Sequence, residues 1–167
     1  MGARSGTWVI GGLVVVLAGL LVAIGLTVTS RDTVDEGLTA RQREVAEAAR
    51  AEAVAFLTVD HTDMDPLIDA VLDGATGDFA QQYADQRATL ERQARRSEAT
   101  SVGEVVSLGV GDLDETTATV LVAANTSVTN RLTDGEAQTR YYRMQLDLVL
   151  EDGRWLTSNL EFVRDPR

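Results

Sequence analysis

Cysteine and lysine are both missing from this 167-residue chain. Without a thiol, disulfides, thiolate metal sites and cysteine nucleophiles are excluded, and a domain working outside the cytoplasm must hold itself together by packing alone. All fifteen cationic side chains are arginine, a bias expected of GC-rich coding and hence of a bacterial source. Histidine occurs once, at His61, so a zinc site built on several imidazoles is out of reach. No internal repeat and no low-complexity tract interrupts the chain. Positive charge is scarce overall: the formal net charge is −11, which sets nucleic acid and anionic lipid headgroups against net repulsion and leaves basic or neutral protein surfaces as better-matched partners.

Charge is absent altogether from Trp8 to Thr29, a run of twenty-two residues that would extend roughly 33 Å as a helix and so cross a bilayer. The run is longer than the roughly 7–15 apolar residues of a cleaved signal peptide, and Thr27-Val28-Thr29 is a poor small-x-small cleavage site, so an uncleaved anchor is expected. Arg4 and the amino terminus on the short side place residues 1–7 in the cytoplasm and everything after Ser30 outside, with the nearby Arg31 as a counter-charge. The chain therefore divides into a cytoplasmic tail (1–7), a transmembrane helix (8–29), a stalk helix (30–55) and one extracytoplasmic domain (56–167).

From Asp35 to about Val59 the composition is rich in Ala, Glu and Arg, and Leu38, Val45, Ala49, Ala53 and Phe56 recur on one helical face. The distal half, around Phe56 and Leu57, is expected to pack on the domain. Asp65-Pro66 reads as an N-cap followed by proline, opening a short helix through Ile68, Val71 and Leu72 that stops at Gly74. A third helix places Phe79, Tyr83, Leu90 and Ala94 on one face and ends in the cations Arg92, Arg95 and Arg96. Beyond Ser97 the period changes to two, giving four strands near 101–110, 116–128, 139–151 and 154–163. Tyr142, Met144, Leu146, Leu148 and Leu150 share one face of the third. Asp134-Gly135 and Glu151-Asp152-Gly153 mark hairpin turns, and the last strand alternates Leu156, Ser158, Leu160 and Phe162 on one face. The fold class is α+β: three helices on a curved antiparallel four-stranded sheet.

Chemistry-bearing clusters are few. His61 lies within Asp60-His61-Thr62-Asp63-Met64-Asp65, but the segment lacks the central glycine and distal glutamate of a calcium loop, so capping in a solvated loop accounts for it. Asn125-Thr126-Ser127 matches a glycosylation acceptor yet falls inside a strand pattern. An apolar cavity, if the side chains leave one, would be lined by Phe79, Tyr83, Tyr142, Met144, Leu146, Leu160 and Phe162 and would take a lipid or steroid; an ordinary filled core is the alternative. The strand phases turn Tyr141, Trp155 and Val163 outward as contact points for another protein. No carboxylate falls on the inward strand face, so no metal, cofactor or catalytic residue is assigned.

The anchor and Ala/Glu/Arg helix, the segment Phe56 to Phe79 with Asp65, Leu67 and Ala75-Thr76-Gly77-Asp78-Phe79, the strand Thr117 to Val122, and Asp152-Gly153-Arg154-Trp155-Leu156 running into Leu160-Glu161-Phe162-Val163 together resemble the Mce-associated membrane proteins of actinobacteria, accessory proteins of the mammalian cell entry lipid-import systems. The resemblance covers most of the chain. It implies a domain similar to nuclear transport factor 2 (NTF2-like, cystatin-like), displayed outside the cytoplasmic membrane, and a non-catalytic scaffold that supports a lipid transporter through contacts with its subunits. A lipid or sterol carrier, and a secretion-channel adaptor similar to VirB8, share the same anchor and fold as alternatives. An isomerase of the ketosteroid type would need an acid and a base inside the cone.

Overall fold

The computed structural model describes residues 39–163; the expected cytoplasmic tail, transmembrane helix and first part of the stalk lie outside the described residues. Among the described residues, no helix is long and apolar enough to cross a membrane. Helix α1 (Ala40–Leu57) opens the domain. Val45, Ala49 and Ala53 succeed one another at four-residue spacing, are fully buried, and lead to the buried Leu57, so a continuous stripe faces the sheet. Within the described part of the 30–55 segment expected to be a stalk, the buried face runs from Val45 onward and is not confined to the distal end around Phe56 and Leu57. The small alanines that gave the segment a stalk-like composition are what lets α1 lie close on β2 along its length. At Gly103 a Cβ would come within 2.8 Å of the Leu57 Cβ.

A two-residue strand β1 (Val59–Asp60) follows and pairs antiparallel with the start of β2, adding a fifth strand too short to show any periodicity in sequence. Helix α2 (Asp65–Gly74) carries Ile68 and Val71 fully buried. Its N-cap is Met64, with no side-chain bond to the first turn, and Asp65 is already helical. The expected cap is replaced by an ion pair, Arg87 Nη1 to Asp65 Oδ1 at 3.0 Å, with Asp69 as the second partner of the same guanidinium.

The single helix expected from Gly77 to Arg96 is two: α3 (Gly77–Asp85) and α4 (Arg87–Ser97), parted at Gln86. The Gln86 carbonyl accepts from Thr89 N at 2.8 Å and Leu90 N at 2.9 Å and so begins α4. Arg87 just beyond it is held by the two aspartates of α2. Tyr83 before the break and Leu90 and Ala94 after it still pack on one cluster with Ile68 and Met64.

The sheet is an antiparallel meander in the order β1-β2-β3-β4-β5, with β2 (Thr100–Leu113), β3 (Thr117–Thr129), β4 (Gln138–Glu151) and β5 (Arg154–Phe162). Four helices and five strands among the described residues therefore replace the expected three and four. Ala118, Val120, Val122 and Ala124 of β3 and Met144, Leu146 and Leu148 of β4 are buried under α1 in one core. Each fully buried leucine there contributes about 1.5–3 kcal/mol. The β4–β5 loop is the two residues Asp152 and Gly153, both at positive φ (48° and 80°), as a type I′ hairpin requires.

Register shifts interrupt β2 after Val105 and β5 at Ser158, where Asp147 pairs with Asn159 but Leu148 with Thr157. One extra residue reverses which face the following side chains take. Leu160 and Phe162 accordingly face the helices, as the alternation predicted. Before the bulge the phase is the opposite one: Trp155 and Thr157 are buried, while Leu156 is only partly buried.

Candidate functional site

The residues expected to line a cavity fall into two groups. Met144 and Leu146 have no exposed surface and fill the core, and Leu160 packs partly buried against it. Phe79, Tyr83, Tyr142 and Phe162 gather around Phe56 of α1. Its ring centre lies 6.4 Å from Phe79, 5.9 Å from Tyr83 and 6.1 Å from Phe162, and Tyr142 is 5.6 Å from Phe162, separations at which tilted rings attract. Beside this cluster is a cleft of about 350 Å³ walled by Phe56, Tyr142 and Phe162 together with Val59, Val128 and Arg140. Thr126 also lines it, with a buried hydroxyl that has no hydrogen-bond partner among the described residues.

The other face of the sheet carries no helix among the described residues. Tyr141 is 78 % exposed, Leu121 53 % and Val163 48 %, and Val106, which follows the inward Val105 and is the extra residue of the β2 bulge, joins them. Ala123 pairs with Arg143, whose carbonyl accepts from Val163 N at 2.9 Å, and Asn125 pairs with Tyr141. These rows bound two shallow depressions of about 380 and 600 Å³. Trp155, expected to join this surface, does not: it is 8 % exposed and belongs to the core, because the Ser158 bulge reverses the phase read from the downstream half of β5. The same face holds a compact polar knot. Partial burial pushes the Asp147 carboxyl up, but donors from Asn159 and Gln145 at 3.1 Å and Thr119 at 3.0 Å prevail and hold it below the ordinary carboxylate range.

The most perturbed side chain was not foreseen. Glu52 of α1 is only 2 % exposed, and neither carboxylate oxygen has a hydrogen-bond partner among the described residues. Burial, and next the charge of Asp73, raise its pKa from 4.5 to about 8. The carboxyl group rests against Gly74, where a Cβ would stand 2.1 Å from Oε2. Glu52 also lines a cleft of about 570 Å³ between α1 and α2, closed at one end by the β4–β5 turn, with Glu44, Glu47, Asp73, Arg154 and Trp155 around it. Arg154 is committed to Asp73, its Nη2 lying 2.9 Å from Oδ2 and 3.0 Å from the carbonyl oxygen. Burial, then Glu52 itself, push the Tyr83 phenol up. A sequence signal existed: Glu52 stands seven residues after Val45 and three after Ala49, offsets that put it on the buried face of α1.

The Asp60–Asp65 segment leaves β1 through a turn at His61 and Thr62 and enters α2 at Asp65. Asp60 Oδ1 accepts from Thr62 Oγ1 at 2.7 Å and Thr62 N at 2.9 Å, which holds the carboxyl below its ordinary range. His61 Nδ1 lies 3.4 Å from Thr100 Oγ1. Among the described residues no three His, Cys, Asp or Glu side chains converge as metal ligands.

A family model described as "Uncharacterized protein Rv1363c/MT1408-like" matches residues 7–164. The chain belongs to the Rv1363c/MT1408-like family. The Mycobacterium tuberculosis relative, "Uncharacterized protein Rv1363c", is 26 % identical over 162 residues, covering 96 % of this chain and 60 % of its own length. The chain thus spans about 60 % of that relative. Among solved structures, an IcmL-like type IV secretion system protein from Legionella pneumophila superposes with a TM-score of 0.58 at 14 % identity, covering 78 % of this chain and 98 % of that one. CagV of Helicobacter pylori, a VirB8 homolog, gives 0.58 at 6 % identity, covering 74 % and 99 %. A ketosteroid isomerase-like protein of Erwinia carotovora gives 0.50 at 19 %, covering 74 % and 95 %.

At such identities these likenesses establish the shared fold of helices on a curved antiparallel sheet, and not the work done on it. Within the family's domain three features then remain to be explained: the aromatic cleft, the uncovered sheet face and the buried Glu52 carboxyl. The first supplies apolar walls with one hydroxyl, and the second a broad, partly apolar contact surface. The third supplies an acid in a cleft whose lining residues include no hydroxyl, imidazole or thiol to act as a nucleophile.

Proposed function

We propose that this chain is a non-catalytic docking subunit of the cell envelope. In this reading residues 8–29 anchor it in the cytoplasmic membrane with residues 1–7 inside, and the domain stands outside to support assembly of an Mce-type lipid-import complex. The observation that carries the reading is the uncovered sheet face, where Val106, Leu121, Tyr141 and Val163 leave large apolar groups in water, a cost that contact with another protein removes. Two fold neighbours are described as type IV secretion system components, and by fold analogy they support an adaptor role in an envelope assembly. The Mce assignment is supported by the order of anchor, α1 and the Asp152–Val163 segment.

Affinity purification of the tagged full-length chain from native membranes tests this. Permease, ATPase or Mce subunits should co-purify with the parent chain and be lost with Leu121→Arg or Tyr141→Asp. Recovery of secretion-channel subunits instead would move the chain to the VirB8-like reading. Loss of no partner in either variant would remove the sheet face from the account.

The aromatic cleft beside Thr126 favours a second reading, a lipid or sterol carrier. Native mass spectrometry of the purified chain tests it: a lipid retained by the parent and lost with Phe56→Ala supports the carrier, and an empty protein argues against it.

A further inference from the structure

A carboxylic acid with no donor for either oxygen is costly wherever it is buried, and an apolar residue would remove the cost. Glu52 lines a cleft whose other polar groups are almost all of one sign: Glu44 and Glu47 from α1 and Asp73 from α2. The single cation in that lining, Arg154, is taken up by Asp73. The Tyr83 phenol of α3 also senses the Glu52 charge. Ala48, Ala51, Ala55 and Ala70 keep the walls low, so a long side chain can reach the floor. Trp155, a further wall, already holds the Arg41 guanidinium 5.7 Å from its ring centre, an arrangement that favours guanidinium over ammonium.

We propose that the α1–α2 cleft receives an arginine side chain of a partner protein, whose guanidinium pairs with both oxygens of Glu52. The planar guanidinium offers two parallel N–H donors at the spacing of a carboxylate, which supplies both missing partners at once. The partner as the source of the arginine rests on the docking reading above. Gly74, on which the Glu52 carboxyl is seated, itself lines the cleft. Arginine keeps its charge at every working pH, so the proton that Glu52 holds near neutrality leaves when the pair forms.

The test uses Nα-acetyl-arginine N-methylamide as probe and the citrulline analogue, uncharged and of the same shape, as control, with the full-length chain in mild detergent. Isothermal titration at pH 7 in buffers of different ionisation enthalpy should give saturable binding with about 0.9 proton released, and affinity should rise about tenfold from pH 7 to pH 9. Citrulline should not bind. Glu52→Gln, close in shape and unable to ionise, should keep its circular dichroism spectrum and lose the binding. No saturable binding, binding without proton release, or equal binding by Glu52→Gln overturns the proposal. Co-purification from native membranes forms the second arm: Glu52→Gln should recover less partner, and unchanged recovery overturns the partner as source. Failure of the parent chain to co-purify any partner while the probe binds defeats the docking reading alone.

Discussion

Glu52 makes the stability of this domain fall as pH rises, in a window that can be worked out in advance. In the folded chain its pKa is raised from 4.5 to about 8, whereas the unfolded chain returns it to water. Below about pH 4.5 both states hold the proton and the site contributes no pH dependence. Between 4.5 and 8 only the folded state holds it, so folding is weakened by about 1.4 kcal/mol per pH unit. Above about 8 both states are ionised and the loss is complete, at up to about 5 kcal/mol over the whole window, a large part of the roughly 5–15 kcal/mol that holds an ordinary domain.

Other ionisable groups add their own pH dependence, so the comparison is with Glu52→Gln, which shares them. Urea denaturation followed by far-UV circular dichroism, at half-unit steps from pH 5 to pH 9, gives the difference. The two chains should be within about 1 kcal/mol of each other at pH 5, and the glutamine variant should lead by several kcal/mol at pH 9. A difference that does not change with pH would mean that Glu52 is ionised in the fold throughout, and the reasoning about its burial would be wrong.

Gly74→Ala should drive the Glu52 carboxyl from its seat and cost about 1–3 kcal/mol; in a Glu52→Ala background the same change should cost almost nothing, a coupling that a double-mutant cycle reads directly. Gly103→Ala puts a methyl 2.8 Å from the Leu57 Cβ and 3.2 Å from the Val54 carbonyl oxygen, and thermal unfolding should show a loss of similar size as α1 is lifted from β2. Trp155→Ala should cost about 3–5 kcal/mol by urea denaturation, whereas Tyr141→Ala should change stability by less than about 0.5 kcal/mol. The reverse order would undo the placement of the β5 bulge.

Periodicity was enough to read the architecture wherever an element was long and regular. β4 alternates without a break from Tyr142 to Leu150, and its face was legible residue by residue. β5 has the same alternation but one extra residue at Ser158, and a bulge carries no composition that distinguishes it from an ordinary strand position. Trp155 therefore lies in the core and not on the outer face. β1 is two residues held by pairing with Thr100 and Ser101, and its existence is a tertiary fact. The break at Gln86 is also tertiary, since Arg87 is tied to Asp65 and Asp69 on another helix.

The candidate sites were legible in proportion to how far apolar patterning defines them. Tyr142, Phe162 and the outward Tyr141 follow from strand phase, while the cleft beside them depends on Phe56, which sequence placed only on a helix face. Glu52 escaped because an acidic residue in an Ala/Glu/Arg helix is ordinarily solvated. Only its spacing from Val45 and Ala49 hinted otherwise, and the glycine that seats it lies on a different helix.

The measurement that bears most directly on the docking account is photo-crosslinking in living cells from an amber-encoded benzophenone at position 141, on the open sheet face, against a control at position 93 on α4. The account predicts discrete adducts from position 141 that contain subunits of an envelope transporter, and none from position 93. Equal labelling from both positions, or no protein adduct from 141, would contradict it.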